Sequence, residues 1–157
     1  METELKPEGL ASIRQALSDL NSDFCFYLDH GLVDELVDLF CEDALYTHGQ
    51  RVSSGRQEIA RLFEGRRSAQ TRTSRHLQTG LRLQIADSEN AHGQSVCLTF
   101  GANEQPPVSP ATPYLVADFI DAYRRCADGR WRIRKRHIER IFVSAENKGP
   151  EGAAKQG

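Results

Sequence analysis

The stretch "HLQTGLRLQIADSENAHGQSVCLTF", residues 76–100, gives the chain a strand-like pattern. In its first half, one face of an extended chain carries the apolar residues Leu77, Leu81, Leu83 and Ile85. The segment "DSENAHG" has the composition of a turn, and Val96, Leu98 and Phe100 alternate after it. A period of two residues on both sides of a turn predicts two antiparallel β-strands.

Helical patterns precede this pair of strands. Residues 9–31 carry apolar side chains at steps of three and four, with Pro7 suited to the first turn and Gly31 to the end. A short second helix is predicted in "LVDELVDLF", residues 32–40, and a third in "SSGRQEIARLFEGRR", residues 53–67. Between them, "EDALYTHG" and "QRVSSG" predict two short strands around a turn.

Two longer strands are predicted after residue 113. They are "YLVADFIDAYRRC", residues 114–126, and "RWRIRKRHIERIFV", residues 130–143, with a hairpin turn at Gly129. The four prolines of "GANEQPPVSPATP" predict an irregular loop before them. This proline-rich loop, residues 102–113, has two interpretations: it covers the mouth of a cavity, or it forms an arm across a neighbouring subunit.

Helices followed by long antiparallel strands predict an α+β fold. We expect a cone-shaped barrel made of a curved, mostly antiparallel sheet, with three N-terminal helices covering its concave face. A single domain is expected over residues 9–143, with a flexible N-terminus at residues 1–8 and a disordered, polar C-terminal tail at residues 144–157. A curved sheet roofed by helices leaves a cavity suited to a small molecule.

Composition argues for an ordinary soluble protein of the cytoplasm. The chain has 157 residues, 39% of them hydrophobic and 27% charged, and a formal net charge of −2, so no overall field favours nucleic acid or a membrane surface. The four cysteines form no C-x-x-C pair, as is usual for free thiols in a reducing compartment. The basic run "RWRIRKRHIER" alternates with apolar residues, which is typical of a solvent-exposed sheet face.

The motif inventory favours chemistry without a cofactor. The five histidines show no helical metal-binding spacing, and the chain has neither a glycine-rich phosphate loop nor a G-x-S-x-G nucleophile turn. We therefore expect no metal and no cofactor. Proton transfer by side chains is the chemistry that this inventory suits best.

Four segments resemble a known family in order and spacing: "FYLDHGLVDELVDLFCEDALYTHG", "SGRQEI", "SRHLQTGLRLQI" and "DAYRRCADGRWRIRKRHIERI". Over residues 10–143 the chain resembles the SnoaL-like branch of the nuclear transport factor 2-like superfamily. That branch includes scytalone dehydratase, bile acid dehydratase, hexachlorocyclohexane dehydrochlorinase and the small subunits of ring-hydroxylating dioxygenases. The resemblance implies the cystatin-like cone fold, whereas activity varies widely on this fold.

The resemblance also implies a pair of catalytic residues. In the dehydratase and dehydrochlorinase members, an aspartate at the end of the first helix pairs with a histidine on the third strand, and Asp29 and His76 occupy these positions. His76 would be the general base, and Asp29 would fix its tautomer. Further candidates for contact with substrate are Tyr46, His48, Tyr27, Phe119 and Arg136, of which Arg136 aligns with a pocket arginine of the dehydrochlorinase.

Two departures concern the acid that would protonate a leaving group. Phe24 lies near the position of a helix-one tyrosine of the bile acid dehydratase, and it cannot donate a hydrogen bond. The strand "QSVCLTF" lacks the second histidine of scytalone dehydratase. The acid would therefore come from elsewhere, and Tyr46, His48 and Tyr27 are the candidates.

The alternation of faces along a strand argues against His76 facing the cavity. In a regular strand His76 shares a face with Gln78 and Arg82, opposite the apolar face that includes Leu77. A β-bulge between residues 77 and 80, marked by Gly80, would reverse this orientation and turn His76 towards the core. Asp29 also has a second interpretation, in which it ends the first helix and is compensated by His30.

We predict a cofactor-independent lyase or isomerase of the dehydratase or elimination type, with His76 as base, Asp29 as its partner and a small hydrophobic, cyclic substrate. The alternative is a non-catalytic protein that binds a small ligand or serves as an accessory subunit, similar to the small subunit of ring-hydroxylating dioxygenases. In that case Asp29 and His76 lie beyond hydrogen-bonding distance, or side chains fill the cavity. The resemblance implies a homodimer or a homotrimer.

Overall fold

A computed structural model describes residues 5–67, 71–146 and 149–150. The expected flexible N-terminus at residues 1–8 and disordered tail at residues 144–157 lie largely outside the described residues. The helices and strands, in chain order, are α1 Pro7–His30, α2 Val33–Asp38, β1 Phe40–His48, β2 Arg51–Ser54, α3 Arg56–Arg67, β3 Thr73–Ile85, β4 Asn90–Ala102, β5 Leu115–Arg125 and β6 Trp131–Val143.

The strands form one six-stranded sheet in the order β2-β1-β6-β5-β4-β3. All neighbouring pairs are antiparallel except β1 and β6, which run parallel. The edge strands β2 and β3 do not pair with each other, so the curved sheet stays open on that side. The predicted α+β fold, with a mostly antiparallel sheet and three helices, is confirmed.

Helix α1 ends because Gly31 adopts the left-handed conformation. Its φ is 68°, and its backbone N–H donates to the carbonyl of Tyr27. A side chain at this position would also place a Cβ atom 2.7 Å from the carbonyl oxygen of Arg66. Gly31 therefore has two roles: it terminates α1, and it allows the end of α3 to approach the end of α1 closely.

A β-bulge of the kind that the strand parity required is present in β3, about two residues later than the expected position between residues 77 and 80. The register between β3 and β4 shifts between Thr79 and Arg82, and Gly80 has a φ of 65°. Residues before the bulge therefore reverse their faces relative to those after it. As a result, His76 points to the concave side with Leu81 and Leu83.

The expectation that Leu77 shares the apolar face of β3 is wrong for the same reason. Leu77 lies before the bulge, and half of its surface (50%) is exposed on the convex side of the sheet. The apolar face of β3 consists only of the residues after the bulge, of which Leu83 and Ile85 pack against the core.

The core lies between α1 and the concave face of the sheet. Phe24 of α1 contacts Phe40 and Phe119 edge-on, with ring centroids 6.1 and 6.0 Å apart. Tyr46 continues this chain of rings towards Phe63 of α3, at 5.5 Å. A cavity remains between the helices and the sheet. None of the described helices has an apolar stretch long enough to cross a membrane.

Candidate active site

A carboxylate and an imidazole meet on the wall of the hollow. Asp29 lies in the last turn of α1 and His76 in β3, and Nδ1 of His76 is 2.6 Å from Oδ1 of Asp29. Oδ2 of Asp29 accepts the backbone N–H of His76 at 2.9 Å, and the Ser74 hydroxyl donates to Oδ1 at 2.8 Å. The two side chains are only 5% and 8% exposed, so the pair is held away from water.

The surroundings keep Asp29 ionised. Burial raises the pKa of the Asp29 carboxyl, but the hydrogen bonds from His76 and Ser74, together with the charge of His76, outweigh burial and lower it overall. A carboxylate accepts hydrogen bonds and donates none, so Nδ1 of His76 must carry the proton. The lone pair of the neutral ring then lies on Nε2, which has no hydrogen-bond partner among the described residues.

The alternative partner for Asp29 is occupied elsewhere. Nδ1 of His30 lies 2.8 Å from the carbonyl oxygen of Phe26, and the two rings stack at 4.1 Å. The carboxylate of Asp29 opposes the dipole at the end of α1, and the groups that compensate it come from β3.

The hollow is a cavity of about 600 Å³, within the range of small-molecule sites. Apolar side chains from the helices and from β5 and β6 line much of it: Phe24, Leu28, Leu62, Phe63, Leu115, Ala117, Phe119 and Ile138. The polar lining includes His76, Thr99, Asn103, Tyr114 and Ser144, together with four arginines, Arg51, Arg66, Arg72 and Arg140. Asn103 and Tyr114 place both ends of the proline-rich loop at the cavity.

Three of the five further candidates line the cavity, namely Tyr46, His48 and Phe119. Tyr46 is 5% exposed and Phe119 is 3% exposed, so both belong to the deep, apolar part. Nε2 of His48 accepts a hydrogen bond from Nε of Arg140 at 3.1 Å.

Tyr27 is not among the residues that line the cavity. It is half-buried, and its ring contacts the ring of Phe26 edge-on at 6.2 Å. Its neighbour Leu28 occupies the cavity-facing side of α1 instead. The expectation that Tyr27 contacts a substrate is not met by this geometry.

Arg136 is likewise placed behind the cavity, not in its lining. The guanidinium is fully buried, makes a two-pronged ion pair with Asp121 at 2.8 and 2.8 Å, and donates to Asn21. It also lies 4.3 and 4.5 Å from the ring centroids of Phe24 and Phe119, which separate it from the hollow. Burial lowers the pKa of Arg136, but the charge and hydrogen bonds of Asp121 outweigh this effect and raise it.

Sequence reasoning missed Ser74 and Asp121. Ser74 precedes His76 by two residues, so the period of a strand places both side chains on one face. Asp121 lies on β5 directly opposite Arg136, and it shares the inward face with Phe119 and Tyr123. An acidic residue at an inward position of one strand is a signal that a buried cation lies on the next.

A second polar cluster is centred on Gln78, two residues after His76 in β3. Nε2 of Gln78 donates to Asn21 at 2.9 Å and to Ser95 at 2.6 Å, and the Asn21 side chain donates to Tyr123 at 2.9 Å. Asn21, Ser95 and Tyr123 are buried, and Gln78 is half-buried. Among the described residues, no three His, Cys, Asp or Glu side chains converge in a way that could hold a metal ion.

Comparison with protein families identifies a match over most of the chain. Residues 10–137 match the SnoaL-like domain family. A comparison with curated proteins gave no significant match.

Solved structures show the same fold at low sequence identity. A scytalone dehydratase-like protein from Novosphingobium aromaticivorans is 19% identical, with a TM-score of 0.77 over 88% of this chain and 91% of that chain. A type 2 hexachlorocyclohexane dehydrochlorinase is 20% identical, with a TM-score of 0.74 over 88% and 92% of the two chains. A protein from Nostoc punctiforme with a cystatin-like fold is 18% identical, with a TM-score of 0.70 over 85% and 95%.

Proposed function

This chain belongs to the SnoaL-like domain family, and we propose that it is a cofactor-independent lyase or isomerase that acts on a small hydrophobic, cyclic molecule. The observation that carries the proposal is the contact between Asp29 and His76 on the wall of an open cavity. The cavity is large enough for a ring compound and is lined by aromatic and aliphatic side chains.

The proposed reaction begins with proton abstraction. Nε2 of His76 takes a proton from a carbon of the substrate, and the electron pair of that C–H bond forms a double bond to the neighbouring carbon. In an elimination, the leaving group departs from the neighbouring carbon with its bonding pair. In an isomerisation, the neighbouring carbon already bears a double bond to a third carbon, the π pair of that bond moves onto the third carbon, and the imidazolium returns the proton there. The Asp29 carboxylate stabilises the imidazolium that both routes form.

Tyr46 is the candidate for assisting the leaving group. It is buried at the apolar end of the cavity, where a hydroxyl that faces substrate is shielded from bulk water. His48 is half-buried and interacts with Arg140, which suits it better to binding than to proton donation.

Two of the structural neighbours support an elimination. The names dehydratase and dehydrochlorinase denote the loss of water and of hydrogen chloride from carbon. A base that removes a proton from the carbon next to the one that bears the leaving group can serve either loss. The structural similarity to these neighbours supports the fold, and the reaction is our proposal.

The rival interpretation, an accessory subunit or a binding protein, predicts a separated pair or a filled hollow. The distance of 2.6 Å between Nδ1 and Oδ1 and the cavity of about 600 Å³ favour the catalytic proposal instead.

The test is an activity screen with a matched variant. Scytalone and hexachlorocyclohexane are incubated with the protein in D₂O, and loss of water, release of chloride and exchange of C–H for C–D are followed by NMR and ion chromatography. We expect product or exchange with the wild-type chain and none with His76→Ala. His92→Ala, which changes an exposed histidine of β4, serves as the control. Equal turnover by His76→Ala and the wild-type chain contradicts the proposal.

A further inference from the structure

The charged groups that line the cavity are all of one sign. Arg51, Arg66, Arg72 and Arg140 contribute to the lining, and no aspartate or glutamate does so among residues 5–67, 71–146 and 149–150. The chain as a whole carries a formal net charge of −2. The cavity therefore concentrates positive charge in a protein that is slightly acidic overall.

The arginines are the more exposed part of the lining, which we take as the mouth of the cavity, and the aromatic residues are the buried part, which we take as its floor. Arg51 and Arg140 are exposed, and Arg66 and Arg72 are half-buried, whereas Phe24, Phe63 and Phe119 are no more than 5% exposed. The arginines come from four separate places: the start of β2, the end of α3, the residue before β3, and the end of β6. They thus surround an apolar chamber on several sides.

We infer that the ligand of this cavity is a hydrophobic organic anion, with its ring system on the aromatic floor and a carboxylate, sulfonate or phosphate at the arginine mouth. Guanidinium groups bind such anions with two parallel hydrogen bonds, which orients the ligand as well as holding it. The inference rests on the proposed function only in taking this cavity as the substrate site, and it holds for any reaction at His76.

Arg72 fixes how such a ligand lies relative to the base. Arg72 directly precedes β3, and the alternation of the strand continued by one residue places it on the same face as Ser74 and His76, with its Cα about 13 Å from that of His76 along an extended chain. No hydrogen bond or ion pair engages Arg72 among the described residues, and its side chain lines the cavity. The anionic group therefore binds at the end of the ligand remote from the carbon that reaches His76.

A pair of fluorescent probes tests the inference without turnover. The probes are 8-anilino-1-naphthalenesulfonate and its uncharged counterpart N-phenyl-1-naphthylamine, which share the aromatic body and differ in the sulfonate. We expect the anionic probe to bind the full chain about tenfold more tightly, because charge-assisted hydrogen bonds add to the apolar contact. Its affinity should fall with rising salt, whereas that of the neutral probe should not.

Arginine variants at and away from the mouth assign the effect to it. Arg72→Gln should weaken the anionic probe about threefold to tenfold and leave the neutral probe unchanged. Arg82→Gln is the matched control, because Arg82 lies within β3, is exposed and does not line the cavity. Arg140→Gln provides a second mouth variant if Arg72→Gln does not fold, as judged by circular dichroism.

Three results would overturn the inference: equal affinity for the two probes, equal losses in the variants at residues 72 and 82, or full displacement of the anionic probe by millimolar inorganic phosphate. The last result would make the site one for simple anions. Since binding is measured apart from turnover, these failures are distinct from a failure of His76 as the base.

Discussion

Nδ1 of His76 and Oδ1 of Asp29 lie 2.6 Å apart, although 47 positions separate the two residues in the chain. The backbone N–H of His76 also donates to the same carboxylate. Asp29 therefore ties the end of α1 to β3 and orients the imidazole at the same time. The Asp29 carboxylate thus contributes both to the stability of the fold and to the proposed reaction, and its removal should affect both.

Replacement of the imidazole should remove the reaction and leave the fold. For His76→Ala we expect kcat to fall by about 10² to 10⁴, which is the range that a general base contributes. Asp29 keeps the Ser74 hydroxyl and the backbone N–H of residue 76, so the free energy of unfolding should fall by only about 1–3 kcal/mol. Kinetics and urea denaturation measure the two effects. A cooperative, folded variant with full activity would contradict the assignment of His76.

The stabilisation contributed by Asp29 should depend on pH. Its folded pKa is lowered from 3.8, so the folded state favours the carboxylate and the stabilisation is present above about pH 3.8. It is lost as the pH falls through the folded pKa. At pH 7, Asp29→Asn should lower the free energy of unfolding by about 1–3 kcal/mol. The difference in the free energy of unfolding between the wild type and the variant should become smaller below pH 3.8. Urea titrations at a series of pH values measure this difference. A difference that stays constant down to pH 2 would show that the charge of Asp29 contributes nothing to stability.

The left-handed glycine of the bulge should be hard to replace. Gly80 has a φ of 65°, and no atom lies within 4 Å of the position that a Cβ would take, so Gly80→Ala isolates the cost of backbone conformation. We expect a loss of about 1 kcal/mol in the free energy of unfolding. Gly65→Ala is the control, since Gly65 lies in α3 with equally open surroundings, and alanine should stabilise a helix by about 0.5–1 kcal/mol. Thermal or urea denaturation measures both variants. A change of the same sign in the free energy of unfolding for both would contradict this account.

The buried ion pair should respond differently to single and double replacement. Arg136→Met leaves Asp121 as an uncompensated buried charge and should cost about 3–5 kcal/mol. Arg136→Met combined with Asp121→Leu removes both charges and should recover a large part of that loss, although the Tyr123 hydroxyl then loses its acceptor. Urea denaturation of the wild-type chain, Arg136→Met, Asp121→Leu and the double variant measures the coupling. Additive losses would mean that the two side chains do not depend on each other.

Much of the fold was predictable from periodicity. The helical steps in residues 9–31 and the two-residue period after residue 76 identify α1 and the strands, and Gly31 marks the end of α1 through its need for a positive φ. Strand order was less accessible, because the parallel pairing of β1 with β6 joins segments far apart in the chain. No local pattern encodes that pairing.

The site was predictable in part, and the reasons differ from residue to residue. The positions of Asp29 and His76 followed from family resemblance, whereas the orientation of His76 depended on a bulge that Gly80 only suggests. Arg136 was expected in the pocket. Its guanidinium instead lies in the core, where it pairs with Asp121 on the neighbouring strand. The arginine mouth was not predicted, because its members come from four elements that converge only in the folded chain.

The position of β6 between β1 and β5 has a consequence for how the protein is made. As a ribosome releases the chain from its N-terminus, the strand that joins the early part of the sheet to the later part emerges last. Until then the floor of the chamber is split into two pieces, and their apolar surfaces are open to other molecules. We therefore expect a nascent chain stalled before residue 131 to bind no ligand and to present exposed apolar surface to a chaperone.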